Sequence, residues 1–322
     1  MHIKTIVTHE YPDLDAIMSI WLLRRYGNDL FPGVATAKLE FLPAQRFYGK
    51  GDEITDTIVV DIEGGHFDHH GPEKSTKCSA MLIAEYLSLG KKTSLAKMIR
   101  YVNLVDTTGK ASSTIPDPLL LLFSIGEMIK GWHSLNGSDF VRTVNLVCQC
   151  LDAINETERL WLSAKSDSEN AIVVQGGSIK VIGLSSDSTS AMKVGRSLYA
   201  DVVVVKDSNG HVGITATSGI KWKEPDLTPT IRMLRLVESS LSSNHYSIDQ
   251  LSEVGDLLGW FFHSSRVIIS CGGPKARNRQ PTLMTLSEIC SLVAISLNVQ
   301  TPWPERLLKE KRSWEQIVTL AR

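Results

Sequence analysis

Two short runs constrain this chain of 322 residues more than any other feature. The first is Thr8-His9-Glu10-Tyr11-Pro12-Asp13-Leu14-Asp15-Ala16. The second is Val59-Val60-Asp61-Ile62-Glu63-Gly64-Gly65-His66-Phe67-Asp68-His69-His70-Gly71. They hold four of the nine histidines, together with Asp13, Asp15, Asp61, Glu63 and Asp68. Both runs follow β-branched, apolar stretches that must fold inward. Buried carboxylate and imidazole at that density are costly unless a cation neutralises them. The runs therefore predict a metal site, and a binuclear one.

The surrounding pattern says how such a site is carried. Ile3 to Thr8 reads as a buried strand with His9 at its C-terminal end. Asp13 can cap a helix bearing Leu14, Ile17, Met18 and Trp21 at i, i+3, i+4 and i+7, closed by Gly27. A strand, then polar groups, then a helix N-terminus is where α/β sheets place ligands. Lys38 to Pro43 is a weaker strand and Thr57 to Ile62 a strong one. Gly64-Gly65 reads as a two-residue hairpin turn that pairs Glu63 with His66, Ile62 with Phe67 and Asp61 with Asp68. Opposed side chains lie about 5 Å apart at Cβ, so Asp61 and Asp68 would need a cation or proton between them. In that register Ile62 and Phe67 share one face, and His69 falls on it too, so the strand must break if His69 is a ligand.

Further along, 78–89, 93–105, 117–133 and 139–165 read as helices, the second ending at Asp106-Thr107-Thr108-Gly109. Phe140, Val144, Val147, Leu151 and Ile154 give the last its apolar face. Strands are expected at 171–174, 179–184, 200–205, 212–216 and 267–271, with helices near 189–199 and at 228–241. A final helix is opened by Ser287. The polar stretch 166–170 joins a helical block to a strand block, which predicts two domains, 1–166 and 171–322.

Composition matters mainly for what it excludes. The densest apolar run, Leu119 to Phe123, is far too short to cross a bilayer, and Met1 leads directly into a strand pattern without a signal peptide. Five irregularly spaced cysteines predict reduced thiols in a cytosolic protein. Cys148-Gln149-Cys150 places its thiols on different helix faces, so packing is the better reading than a metal half-site. A formal net charge of −1 is unlike a broad, sequence-blind DNA binder. Any nucleic-acid substrate should be short.

Read together, the runs resemble the DHH phosphoesterase superfamily. Asp68-His69-His70 is its Asp-His-His signature. His9-x3-Asp13-x-Asp15 looks like the first motif in its family II inorganic pyrophosphatase form, Val59-Val60-Asp61 like the second, and Asp106 like the fourth. The match covers roughly residues 3–110, with the elements in order. The closeness of the second and third motifs, and Ser79-Ala80 opening the next helix, also resemble a branch of metal-dependent hydrolases that includes a eukaryotic RNA exonuclease. The stretch from Asp201 to Val293 is loosely similar to that branch.

The resemblance implies an α/β fold. An N-terminal DHH-like lobe would have a mainly parallel sheet flanked by helices, a smaller mixed α/β lobe would follow, and the active site would lie in the cleft between. It implies two divalent cations, manganese before magnesium or cobalt. His9 and Asp13 would bind one and Asp15, His69 and Asp106 the other, with Asp61 bridging. His70 would face the phosphate as donor or general acid, and Asp68 would orient a neighbouring histidine. Glu63 and His66 match no motif and are expected to be solvated or to support the ligands. Gly272-Gly273, followed by Lys275, Arg277 and Arg279, is the best candidate for substrate phosphate, although no histidine follows the glycines as in many family nucleases. Lys221-Trp222-Lys223 could stack a base, or Trp222 could simply anchor a loop. The expected partner is a phosphate-containing small molecule or short oligonucleotide, with no membrane. The leading function is manganese-dependent hydrolysis of a phosphodiester. Pyrophosphate or short polyphosphate hydrolysis, and a non-catalytic nucleotide or metal sensor, are the alternatives.

Overall fold

The computed structural model describes residues 2–43, 56–62, 64–65, 67–70, 76–91, 93–109, 121–217, 226–241, 259–273 and 280–298. The protein is α/β, and it divides into two compact units, Met1–Arg159 and Leu160–Arg322.

In the first unit β1 (Thr5–His9) lies between two parallel neighbours, β2 (Lys38–Leu42) and β3 (Thr57–Val59). Side chains alternate across this sheet. Ile6, Leu39, Ile58 and Val60 face the main core, while Val7, Val59 and Ile62 form a small cluster on the other side. Because Val7 pairs with Val59 in parallel register, the chain ends two residues on, His9 and Asp61, arrive level at one edge of the sheet.

Helix α1 (Leu14–Tyr26) runs through the core: every residue from Leu14 to Leu23 is buried, Asp15 and Ser19 included. An all-round buried helix has no solvated face, so its polar residues need partners. Asp13 is its cap, Oδ1 accepting from Asp15 N at 2.9 Å and Ala16 N at 3.1 Å. Four helices follow, α2 (Ser79–Tyr86), α3 (Thr93–Thr108), α4 (Ile125–Asn136) and α5 (Phe140–Asp167). Arg25 and Trp21 both donate to Asp152, fastening α1 to α5. Two helix boundaries differ from expectation. Asp106 falls inside the last turn of α3 rather than beyond it. The helix expected at 117–133 is α4, capped by Ser124 and running to Asn136; residues 117–120 lie outside the described residues.

Among the described residues the pairing expected of a hairpin around Gly64-Gly65 is not found, and its Glu63–His66 pair lies outside them. Phe67 instead makes an isolated parallel bridge with Val60, donating to Val59 O and accepting from Asp61 N. The cause is at Asp61, whose φ of 54° is left-handed and turns the chain out of the strand. Ile62 and Phe67 consequently enter different apolar clusters instead of sharing one face. The break also frees His69 from a strand's alternation.

The second unit is not the smaller. Its sheet has six strands in the order β4-β5-β6-β7-β9-β8: β4 (Ile172–Gly176), β5 (Ile179–Ser185), β6 (Val202–Lys206), β7 (Val212–Ala216), β8 (Trp260–Phe262) and β9 (Ile268–Cys271). Only β5 and β6 are parallel. Helix α6 (Ala191–Ser197) packs against β5 and β6, while α8 (Leu286–Asn298) covers β4 and β5 and meets α7 (Thr228–Leu241). The cap of α8 is Thr285, reciprocated by Glu288, and not Ser287. The division between units falls within α5, ahead of the expected 166–170. The last turns of α5 belong to the second core: Ala164 packs with Ile182 and Ala191, Leu160 O accepts from Ser188 Oγ, and Asp167 accepts from Ser186 Oγ. Among the described residues no helix is long and apolar enough to cross a membrane. All five cysteines are free.

Candidate metal centre

The centre begins where β1 ends. His9 Nδ1 faces the Glu10 carbonyl at 2.8 Å, so Nδ1 carries the proton and Nε2 is the nitrogen left for a cation or a second proton. Nε2 lies 3.3 Å from Asp61 Oδ2. Asp13 spends Oδ1 on the α1 cap, and the ligand atoms of His9, Asp13 and Asp61 lie within 4.8 Å of one another.

Asp15, in the first turn of α1, has both oxygens engaged by the start of α2. Oδ2 accepts from Ser79 N and Oδ1 from Ala80 N, each at 2.8 Å. Asp15 therefore caps a helix 64 residues away, in place of Cys78, whose side chain makes no cap bond. The next side chain in α2, Ser79, donates its hydroxyl to Asp61 Oδ1 at 3.1 Å. Asp61, 4% exposed, is thus surrounded by His9, Ser79, His69 and His70.

His69 and Asp106 complete the far side. His69 Nε2 lies 3.1 Å from Asp61 Oδ1, 3.4 Å from Asp106 Oδ2 and 3.6 Å from Asp15 Oδ2. None of these approaches has hydrogen-bond geometry, so Nε2 and Asp106 Oδ2 are both buried without a hydrogen-bond partner. Two opposed polar atoms that face each other without bonding are costly in a protein interior, and a cation between them would satisfy both. Asp15, His69 and Asp106 bring ligand atoms within 4.8 Å of one another, as do Asp61, His69 and His70. Mixed oxygen and imidazole donors are of the type that can hold a divalent cation.

His70 is held differently. Asp68 Oδ1 accepts from His70 N at 2.8 Å and lies 3.1 Å from its Nδ1, while Oδ2 accepts from Gly64 N at 3.0 Å. Asp68 thus fixes the ring of a half-exposed histidine 3.9 Å from that of His69.

The electrostatics express crowding. Burial opposes charge on His9 and His69, yet the Asp61 carboxylate close to both rings outweighs it and raises both to about 9. Asp61 itself is pulled below the ordinary carboxylate range, because the two histidines overcome the cost of its burial. Burial, then the charge of Asp61, push Asp15 up to about 7 against the pull of the α2 N-terminus. Burial raises Asp13 and Asp106 as well. Such a cluster retains protons until something more positive replaces them.

The sequence-predicted residues therefore divide. His9, Asp13, Asp15, Asp61, His69, His70 and Asp106 converge, with Asp68 behind His70. Gly272 and Gly273 lie in the second unit, at the end of β9. The Gly272 N–H donates to Gly259 O, its φ is 71°, and a Cβ there would meet the His211 ring and the Gln280 carbonyl, so this glycine has a structural reason of its own. Lys275, Arg277 and Arg279 lie outside the described residues, as do Glu63, His66 and Lys221 to Lys223. Three supporting residues were missed. His133 Nε2 lies 2.9 Å from Pro12 O, steadying the loop between His9 and Asp13. Asn103 holds the entry to α2 through Cys78 N and Thr76 O; its position one turn before Asp106, on the same face of α3, was the available signal. The hydroxyl of Ser79 had none, since its partner is distant in sequence.

No family model matches the chain, and no curated protein matches it. Among solved structures, it is similar to an uncharacterized protein from Helicobacter pylori G27, at 11% identity over 86% of this chain and 95% of that one, with a TM-score of 0.23. A likeness that slight carries no argument about fold or chemistry, and the case for function rests on the centre itself.

Proposed function

We propose that the protein is a manganese-dependent phosphoesterase of the DHH type, hydrolysing a phosphodiester in a short oligonucleotide or nucleotide by a two-metal mechanism. The observation that carries the reading is the pair of unbonded, buried atoms His69 Nε2 and Asp106 Oδ2, set among three overlapping groups of possible ligands, two of which share Asp61. His9 and Asp13 would hold one ion, Asp15, His69 and Asp106 the other, and Asp61 would contribute an oxygen to each. Asp13, Asp15, Asp61 and Asp106 are four carboxylates, and two divalent cations balance them, whereas one would leave buried negative charge. Bound there, the ions would activate water and stabilise charge on the phosphoryl oxygens.

The protein's own groups do the positioning. The Glu10 carbonyl occupies His9 Nδ1 and leaves Nε2 as the nitrogen that would hold an ion. The α2 N-terminus holds the Asp15 carboxylate flat through two N–H bonds, so its orientation needs no reorganisation on loading. Asp68 keeps the His70 ring in one orientation, from which it can donate a hydrogen bond to the phosphate or a proton to the departing oxygen.

The test is a substrate panel. Purified protein with Mn²⁺ is expected to cleave a dinucleotide or short RNA, and Asp61→Ala to abolish cleavage with loss of bound metal. Preference for pyrophosphate over every phosphodiester would move the reading to a pyrophosphatase. Tight Mn²⁺ binding without turnover of any of the three would favour a sensor.

A further inference from the structure

Tyr11 lies in the connection between two of the metal-centre residues, His9 and Asp13, and nothing in the chemistry above uses it. Consecutive Cα atoms are about 3.8 Å apart, so its backbone is within roughly 7.6 Å of each. The residue is unusual in three respects. Its φ of 53° is left-handed, a conformation that costs a bulky residue of order 1 kcal/mol or more. The residue is 59% exposed. And the ring is nevertheless held, edge-on to Phe140 at 4.8 Å between centroids and to His133 at 5.6 Å.

The backbone on either side is pinned as well. Glu10 N donates to Leu42 O, the Glu10 carbonyl is engaged by His9 Nδ1, and the Pro12 carbonyl by His133 Nε2. Core formation does not explain this arrangement, because the residue is held by two ring contacts and still leaves more than half its surface in water. A strained, immobilised and exposed aromatic beside a phosphate-binding centre has the properties of a stacking platform, since little entropy remains to be lost when a flat ligand lands on it.

The geometry points to Tyr11 as the residue that selects substrate, by stacking a nucleobase or other flat aromatic group attached to the phosphate held at the metal centre. This rests on the metal-centre reading above and adds to it the kind of phosphate ester preferred: one carrying a planar ring near the scissile group. Stacking of one base on an aromatic side chain corresponds to roughly 5- to 100-fold in affinity.

The experiment compares AMP with ribose 5-phosphate, which lacks the base, by calorimetric titration of the Mn²⁺-loaded full-length protein. Wild type is expected to bind AMP about 5- to 100-fold more tightly. Tyr11→Ala should bring AMP down to the level of ribose 5-phosphate without changing the affinity for ribose 5-phosphate, and Tyr11→Phe should restore the preference. The Mn²⁺-induced rise in melting temperature, measured on each variant, reports that the centre is intact. Equal binding of the two ligands by Mn²⁺-loaded wild type, or an AMP preference that survives in Tyr11→Ala, overturns the role of Tyr11 and leaves the metal centre standing. Failure of wild type to bind Mn²⁺ overturns both.

Discussion

Raising the pH should weaken the protein without metal and strengthen its hold on metal, and the two effects have one origin. The groups that dominate are His9 and His69, raised from 6.5 to about 9, and Asp15, raised from 3.8 to about 7. A group whose folded value lies above its unfolded one retains its proton in the fold. Its contribution is complete below the unfolded value and is lost as pH climbs through the folded one. Asp15 therefore loses its share between about pH 4 and 7, and the histidines theirs between 6.5 and 9. Asp61 is shifted the other way, so its contribution is already complete above 3.8 and adds no slope in this window.

His9 alone sets the scale. A rise from 6.5 to about 9 corresponds to about 3 kcal/mol at 1.36 kcal/mol per pH unit. His69 draws on the same Asp61 carboxylate, so the two do not simply add. For a unit the size of Met1–Arg159, 1 kcal/mol moves the melting temperature by roughly 2–4 °C. Metal-free protein should then melt roughly 6–12 °C lower at pH 9 than at pH 6. Manganese must displace the same protons, and two histidine protons make its affinity rise up to about 100-fold per pH unit below 9. The assay is differential scanning calorimetry with EDTA and with saturating Mn²⁺, from pH 6 to 8.5 with the metal and to 9 without. The Mn²⁺-induced shift should grow with pH, and Asp61→Asn should flatten the metal-free slope, because the carboxylate that raises both histidines is gone. A metal-free melting temperature that is level or rising across this range, or a Mn²⁺ shift of equal size at pH 6.5 and 8.5, would refute the reasoning.

Two substitutions separate positioning from folding. Asp68→Ala removes the carboxylate hydrogen-bonded to His70 without changing a proposed metal ligand, so kcat on a cleaved phosphodiester should fall about 10- to 100-fold, with bound Mn²⁺ unchanged by elemental analysis. Gly272→Ala forces a Cβ against the His211 ring and the Gln280 carbonyl at a φ of 71°; it should destabilise the second unit by about 1–3 kcal/mol in denaturant titration, while the Mn²⁺ affinity of the first unit stays as in wild type.

What could be read in the chain, and what could not, follows the range of the forces involved. β1, α1 and the Asp13 cap were legible because caps and apolar periods act over a few residues. The Cys148-Gln149-Cys150 thiols were legible for the same reason. The three-residue strand β8 carried too little pattern to be noticed. The Gly64-Gly65 hairpin failed because a local turn rule met a stronger local fact, the left-handed backbone of Asp61, a conformation that aspartate tolerates but does not demand. That failure resolves the difficulty the hairpin created: once the chain leaves the strand at Asp61, His69 is free to turn toward Asp15 and Asp106.

The acidic and histidine residues that converge here were legible by type, but the hydrogen bonds that aim them were not. Asp15 depends on backbone N–H groups of Ser79 and Ala80, and Pro12 on His133, partners separated by 64 to 121 residues. A backbone donor leaves no trace in residue identity, so nothing at 79 or 80 could have revealed the contact. The position most easily misjudged is therefore Asp15. A neutral Asn there retains one acceptor but turns an amide toward a helix N-terminus that offers only donors, so it should loosen α2 and the site together, and an Asp15→Asn phenotype would not by itself distinguish a lost cation from a lost helix cap. Asp106, whose Oδ2 has no hydrogen-bond partner, is the cleaner probe of metal binding, because changing it would remove the proposed donor without breaking a hydrogen bond at that oxygen.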